Sequence, residues 1–160
     1  MKKISLFLVF LFIYTVSFAQ TKYYKGEWSK TGTSYVFKAF VKLEFKGSKI
    51  EGEILWTIAL ANQLDSSMAA YYKNKMNRLG VEVISGDYNA VTRDVSFAGV
   101  SKIDPDNIIG LDIYALKLSS DGIKLFGKTE SGGTGKGVFY AVAAPGSQEE
   151  YKTMREKVRQ

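Results

Sequence analysis

From Ser34 to Phe45 the chain alternates between apolar and polar positions. Tyr35, Phe37, Ala39, Val41 and Leu43 share one face, and Lys38, Lys42 and Glu44 lie on the other, with Phe40 and Phe45 as apolar exceptions on the polar side. A period of two with one wet side is the pattern of a strand whose other side is buried. Lys46-Gly47-Ser48 reads as a turn, and Ile50 to Ile58 returns with Ile50, Gly52, Ile54 and Trp56 aligned. Comparable strands are predicted at Tyr23–Ser29, Val81–Asn89, Asp94–Lys102, Ile108–Ser119, Ile123–Glu130 and Gly137–Ala143. Short turns at 90–93, 104–107 and 120–122 separate most of them, as in an antiparallel up-and-down meander. Eight such strands are enough to close a small barrel.

A second regularity points the same way. An apolar residue, one spacer and a glycine recur at Tyr24-Lys25-Gly26, Ile50-Glu51-Gly52, Ile84-Ser85-Gly86, Phe97-Ala98-Gly99, Ile108-Ile109-Gly110 and Leu125-Phe126-Gly127. Glycine inside a strand marks a bulge, a bend or a close backbone approach. Its repetition along the meander predicts a sheet that curls, with a twisted sandwich as the alternative. Two segments break the pattern. Residues 59–79 carry Leu60, Leu64, Met68, Tyr71 or Tyr72, Lys75 and Leu79 at roughly helical spacing, with Gly80 as a stop. After Pro145-Gly146, Ser147 and Glu150 have capping-box spacing, and Tyr151, Met154 and Val158 form a narrow apolar stripe on a short helix. The expected fold is therefore all-β: a roughly eight-stranded antiparallel barrel over residues 20–144, with a helical insertion at about 59–79 and a C-terminal helix in 145–160.

The opening residues belong to none of this. Lys2 and Lys3 precede an apolar run from Ile4 to Phe18, and Ser17-Phe18-Ala19 places small residues at positions −3 and −1 of a cleavage site. Residues 1–19 read as a signal peptide, so the chain is expected to be exported, to the periplasm or outside the cell. The run is too short for a comfortable membrane span. Without Lys2 and Lys3, the 22 basic and 16 acidic residues leave a net charge of +4. That modest excess, interspersed with acids along the strands, does not suggest nucleic acid as a partner.

Cysteine and histidine are both absent from the 160 residues. Disulfides, a lipid-anchoring cysteine, zinc sites of Cys and His, cysteine nucleophiles and Ser-His-Asp catalysis are thereby excluded. Ser131 to Gly137 is rich in glycine but lacks phosphate-loop spacing, because Glu130 stands where the first glycine belongs and Gly137 where Ser or Thr belongs. Asp104, Asp106 and Asn107 could offer oxygen to calcium, but not at EF-hand spacing. No catalytic residue, metal ligand or cofactor is assigned.

Gly26-Glu27-Trp28 in the first strand matches a G-x-W signature, and on it the chain resembles the calycins, the group that includes lipocalins and avidins. The resemblance implies a barrel closed at one end by Trp28. The T-D-Y motif of lipocalins has only a distant counterpart in Leu111-Asp112-Ile113-Tyr114, and the polar loops of biotin-binding avidins have none. Gly52-Glu53-Ile54-Leu55-Trp56, Val83-Ile84-Ser85-Gly86-Asp87-Tyr88, Gly99, Asp104-Pro105 and Tyr114-Ala115-Leu116 are similar to a pattern recurring in secreted bacterial domains that carry no assigned activity.

The functional expectation is a non-enzymatic barrel that binds a small apolar or amphipathic molecule. Trp56, Tyr71, Tyr72, Arg78, Tyr88 and Tyr114 are the candidate ligand-binding residues, since pockets combine apolar walls with a few polar groups and long insertions often carry function. The alternative is a protein-interaction or structural module whose interior is filled by side chains, as small barrels often are.

Overall fold

The computed structural model describes residues 19–31, 35–61, 72–131 and 135–158. Residues 1–18 of the expected signal peptide, Tyr71 with most of the expected helical insertion, and the tip of the Ser131–Gly137 loop lie outside the described residues. Eight strands follow in order: β1 (Gln20–Lys30), β2 (Tyr35–Lys46), β3 (Lys49–Ala61), β4 (Leu79–Asn89), β5 (Asp94–Ile103), β6 (Asp112–Leu118), β7 (Lys124–Ser131) and β8 (Gly135–Val142). Each pairs antiparallel with the next, and β8 pairs with β1, so the sheet is a closed barrel. Closure gives every strand a neighbour on both sides. A helix, α1 (Ser147–Lys157), follows the last strand.

The alternation read from the sequence sorts residues into an inside and an outside. Phe37, Ala39, Val41 and Leu43 of β2 face the interior with Ile50, Ile54, Trp56 and Ile58 of β3, and all are buried. Phe45 joins them and is not an exception on the polar side; counting by twos from Leu43 puts it on the inner face. Phe40 is the true exception. It points outward and is buried with Leu55, Val81 and Tyr151 under α1. Each fully buried Val, Leu, Ile or Phe contributes about 1.5–3 kcal/mol, so the inner face drives closure and the small outer cluster docks the helix.

The strand glycines let the sheet curl. A Cβ at Gly86 would be driven into the Ser96 carbonyl oxygen and Phe97 on β5, and one at Gly52 into the Lys42 carbonyl oxygen on β2. Gly86→Ala is therefore expected to lower the unfolding free energy by about 1–3 kcal/mol through overpacking. Urea denaturation reads this as a lower midpoint, and an unchanged midpoint would show that β5 has room to move away.

Several boundaries differ from the sequence reading. β3 continues through Ala61 and β4 already contains Leu79 and Gly80, because Tyr35 and Val36 offer partners to Ala61 and Leu60, and Thr57 and Trp56 to Leu79 and Gly80. Of the residues between them, those described are Tyr72 and Lys73, which are helical, a turn over 74–77, and Arg78. β6 starts at Asp112, not Ile108. The amides of Ile108 and Ile109 donate to the Asp104 carboxylate at 2.8 and 2.9 Å, and the Ile109 carbonyl accepts from Lys102 Nζ at 2.6 Å. Those backbone groups are used locally and are lost to a ladder. Finally, Ser147 and Glu150 do not form a capping box. Gly146, with φ of 86°, precedes the helix; Ser147 Oγ accepts from the Ala144 amide, and Glu150 pairs with Lys25 Nζ at 2.7 Å. The stripe of Tyr151, Met154 and Val158 does face the barrel.

Candidate functional site

The barrel has two unlike ends. At one end lie the turn after Tyr72 and the 104–111 segment, tied together by Lys75 Nζ donating to the Asp106 carbonyl at 2.6 Å. At the other lie the tight turns 47–48, 90–93 and 119–122. Of the six residues expected to line a pocket, the structure brings Trp56, Tyr72, Tyr114 and Arg78 to the first end. Tyr88 is at the opposite end, stacked edge-on against Phe45 with ring centroids 5.2 Å apart. Tyr71 is outside the described residues. Arg78 is exposed and reaches toward Asp106, 3.9 Å away.

Trp56 and Tyr114 are both buried inside the barrel. They belong to a run of rings through the interior: Tyr72 on Phe37, Phe37 on Trp56, Trp56 on Phe139, Phe139 on Tyr114, and Tyr114 on Phe97, with centroids 4.5–6.4 Å apart. Most of these contacts are edge-to-face, the arrangement that adds about 0.5–1.5 kcal/mol per pair beyond area burial. Trp28 packs on Phe37, covers the face of Gly137 and donates its Nε1–H to Thr129 Oγ1 at 2.6 Å.

A carboxylate sits among these rings. Glu82 shares the inner face of β4 with Ile84 and is 1 % exposed. Trp56 Nε1 donates to its Oε2 at 3.0 Å, the Tyr114 hydroxyl donates to the same oxygen at 2.5 Å, and the Asp112 amide donates to Oε1 at 2.9 Å. Gly99 on β5 makes the space, because a Cβ there would meet Oε1. Burial pushes the Glu82 carboxyl up to about 7; the three hydrogen bonds pull the other way, and the neighbouring Asp112 carboxylate adds to the rise. Burial and the charge of Glu82 together raise the Tyr114 hydroxyl well above its usual value. Sequence reasoning named Trp56 and Tyr114 but missed Glu82. The signal was present: in Val81-Glu82-Val83-Ile84, the glutamate falls on the same parity as Ile84 and Tyr88.

A second feature lies outside the barrel. A groove of about 600 Å³ runs along the outer face of β2–β4 beside α1, bordered by Tyr23, Lys42, Glu44, Glu53, Val100 and Arg155, among others. Arg155 clamps Glu53 with two hydrogen bonds, at 2.9 and 3.3 Å, and the Tyr151 hydroxyl donates to the same carboxylate at 2.5 Å. Burial opposes ionisation of Glu53, but these bonds outweigh it and hold its carboxyl below the usual range. The opposed Glu44 and Glu51 of β2 and β3 would repel; Lys42 bridges to Glu44, and Lys46 bridges to both.

Among the described residues, no group of three or more acidic side chains is arranged to hold a metal ion, and no helix is long and apolar enough to cross a membrane. No family model, curated protein or solved structure matches the chain, so the calycin resemblance rests on its sequence signature alone.

Proposed function

We propose that this chain is an exported, non-enzymatic barrel that works as a protein-interaction module, its interior occupied by its own side chains. The observation that carries this reading is the interior. Tyr24, Ile54, Tyr114, Leu125 and Phe139 are wholly buried, and Phe37, Trp56 and Phe97 nearly so, in one continuous cluster. A small barrel filled this way presents partners with its outer wall and ends. Export is supported by the Lys2-Lys3 start and the apolar run that follows. The outer groove favours a second reading. Its size is that of a small-molecule site, and Tyr23 and Val100 stand beside the Arg155–Glu53 pair as apolar and polar contacts for an amphipathic ligand.

Native mass spectrometry of the protein purified from its own compartment separates the two. The interaction module is expected at the bare sequence mass, with tryptophan fluorescence unmoved by fatty acids, haem or sugars. A photo-crosslinker at Ser85, in the groove, should then join a defined protein that the same probe at Val91, on the far turn, does not reach. A stoichiometric extra mass released on denaturation would overturn the module reading in favour of a carrier.

A further inference from the structure

Glu82 stands where the sheet comes apart. Pairing of β5 with β6 ends at Ala98–Ile113, although β5 continues to Ile103 on its β4 side. The chain between, 104–111, folds back over this end of the barrel and inserts Ile108 into the core. Where the ladder would have continued, the Asp112 amide donates to Glu82 instead. One carboxylate thus joins the start of β6, the Trp56 indole and the Tyr114 hydroxyl.

Among the described residues, no direct partner of this carboxylate is a cation. Its partners from β3 and β6 are the neutral donors Trp56 and Tyr114 and a backbone amide. From β5, Gly99 brings no charge, and the register partner Lys102 turns its ammonium to Asp104, at 3.1 Å, and to the Ile109 carbonyl. Asp112, on β6, is a like charge. In the segment, Asp104 is held by Lys102, and Asp106 accepts from Lys75 and faces Arg78. An ionised carboxylate enclosed among rings without a cation is expensive, and the cost is relieved by taking a proton or by admitting water. Movement of the 104–111 segment, which is fastened mainly by side-chain bonds and not by a ladder, would admit water to Glu82.

We propose that Glu82 is a proton-controlled latch: protonated, it leaves the 104–111 segment closed over the aromatic interior, and on losing its proton it favours opening of that segment. The inference does not depend on which partner the outer wall binds. It supplies a way for the chain to expose Ile108, Trp56 and Tyr114 above a threshold pH and to cover them below it.

Hydrogen exchange followed by NMR in the full folded chain tests this. The probes are the Asp112 amide and the Trp56 indole N–H, both bonded to Glu82, and the Ile108 amide in the segment. After correction for intrinsic exchange, protection at these sites should fall by about tenfold per pH unit as Glu82 loses its proton, then level off. The Tyr88 and Leu118 amides, which bond to Ser48 and Arg93 at the other end, should not follow. Glu82→Gln should abolish the slope. Tyr114→Phe, which keeps the carboxylate but removes one donor to its charged form, should keep the slope and move the levelling point to higher pH; it decides the matter if the glutamine variant does not fold. A flat profile in the natural chain, the same slope at Tyr88 and Leu118, or a slope surviving in Glu82→Gln would overturn the latch.

Discussion

Trp56→Ala should destabilise the fold by about 3–5 kcal/mol, the usual cost of truncating a buried aromatic to alanine. The indole is 4 % exposed and touches Phe37 and Phe139, so the cavity would open in the middle of the ring cluster. A further loss follows, because Glu82 Oε2 would keep only the Tyr114 hydroxyl. Trp56→Phe separates the two effects. It restores most of the volume and removes only the N–H, and should cost about 1–3 kcal/mol, the penalty for leaving a buried acceptor short of a donor. Chemical denaturation monitored by circular dichroism checks both values. If Trp56 instead floored an open pocket, the alanine variant would keep nearly full stability, and the filled interior would be the wrong description of this end.

A stability profile that declines between mildly acidic and neutral pH is the second large effect. The Glu82 carboxyl lies at 4.5 when unperturbed and at about 7 in the fold. Between these values the native chain binds more protons at this site than the unfolded chain, and stability falls with rising pH wherever that holds. Below 4.5 both states carry the proton, and above about 7 both have lost it, so the change is confined to the window between. A rise of that size corresponds to about 3 kcal/mol. Glu53 has the opposite sign. Its carboxyl is held low in the fold, so its contribution is present above the ordinary glutamate value and is lost on acidification through the folded value. Stability should therefore peak in the mildly acidic range. Urea midpoints measured from pH 4 to 8 on the natural chain and on Glu82→Gln test the assignment. The glutamine variant should lack the decline toward neutrality and keep the acid limb. Identical profiles for the two chains would show that Glu82 is ionised in the fold at an ordinary cost.

The glutamine comparison also bears on why a carboxylate is there at all. Apolar packing of similar volume is often as stable as a buried charge or more so. A leucine at 82 would fill the Gly99 notch but leave the Asp112 amide, the Trp56 indole and the Tyr114 hydroxyl without their acceptor. The glutamate is thus matched to three donors brought by two other strands, and its cost is the counterpart of their satisfaction.

The alternation in β2 and β3, the glycines at Gly52 and Gly86 and the short turns were enough for an antiparallel meander that curls, because period-two patterning, curl and connection length are local properties that a linear reading contains; a sandwich stayed open until the pairing of β8 with β1 closed the barrel. The Tyr151, Met154 and Val158 stripe likewise announced α1. The remainder turned on groups whose partners are far away in the chain. Ser147 and Glu150 had capping-box spacing, yet Lys25 and the Ala144 amide claimed their side chains. Ile108 and Ile109 had strand composition, yet Asp104 and Lys102 took their backbone groups. Tyr88 and Trp56 shared an inner face, and register then sent them to opposite ends. Glu82 looked like one acid among sixteen; closure of the barrel set its carboxyl between β3, β5 and β6, where three donors converge and water is excluded. Parity on a strand gave the face on which Glu82 lies; whether a charged group on that face is solvated or enclosed, and by which donors, depends on what the fold places around it.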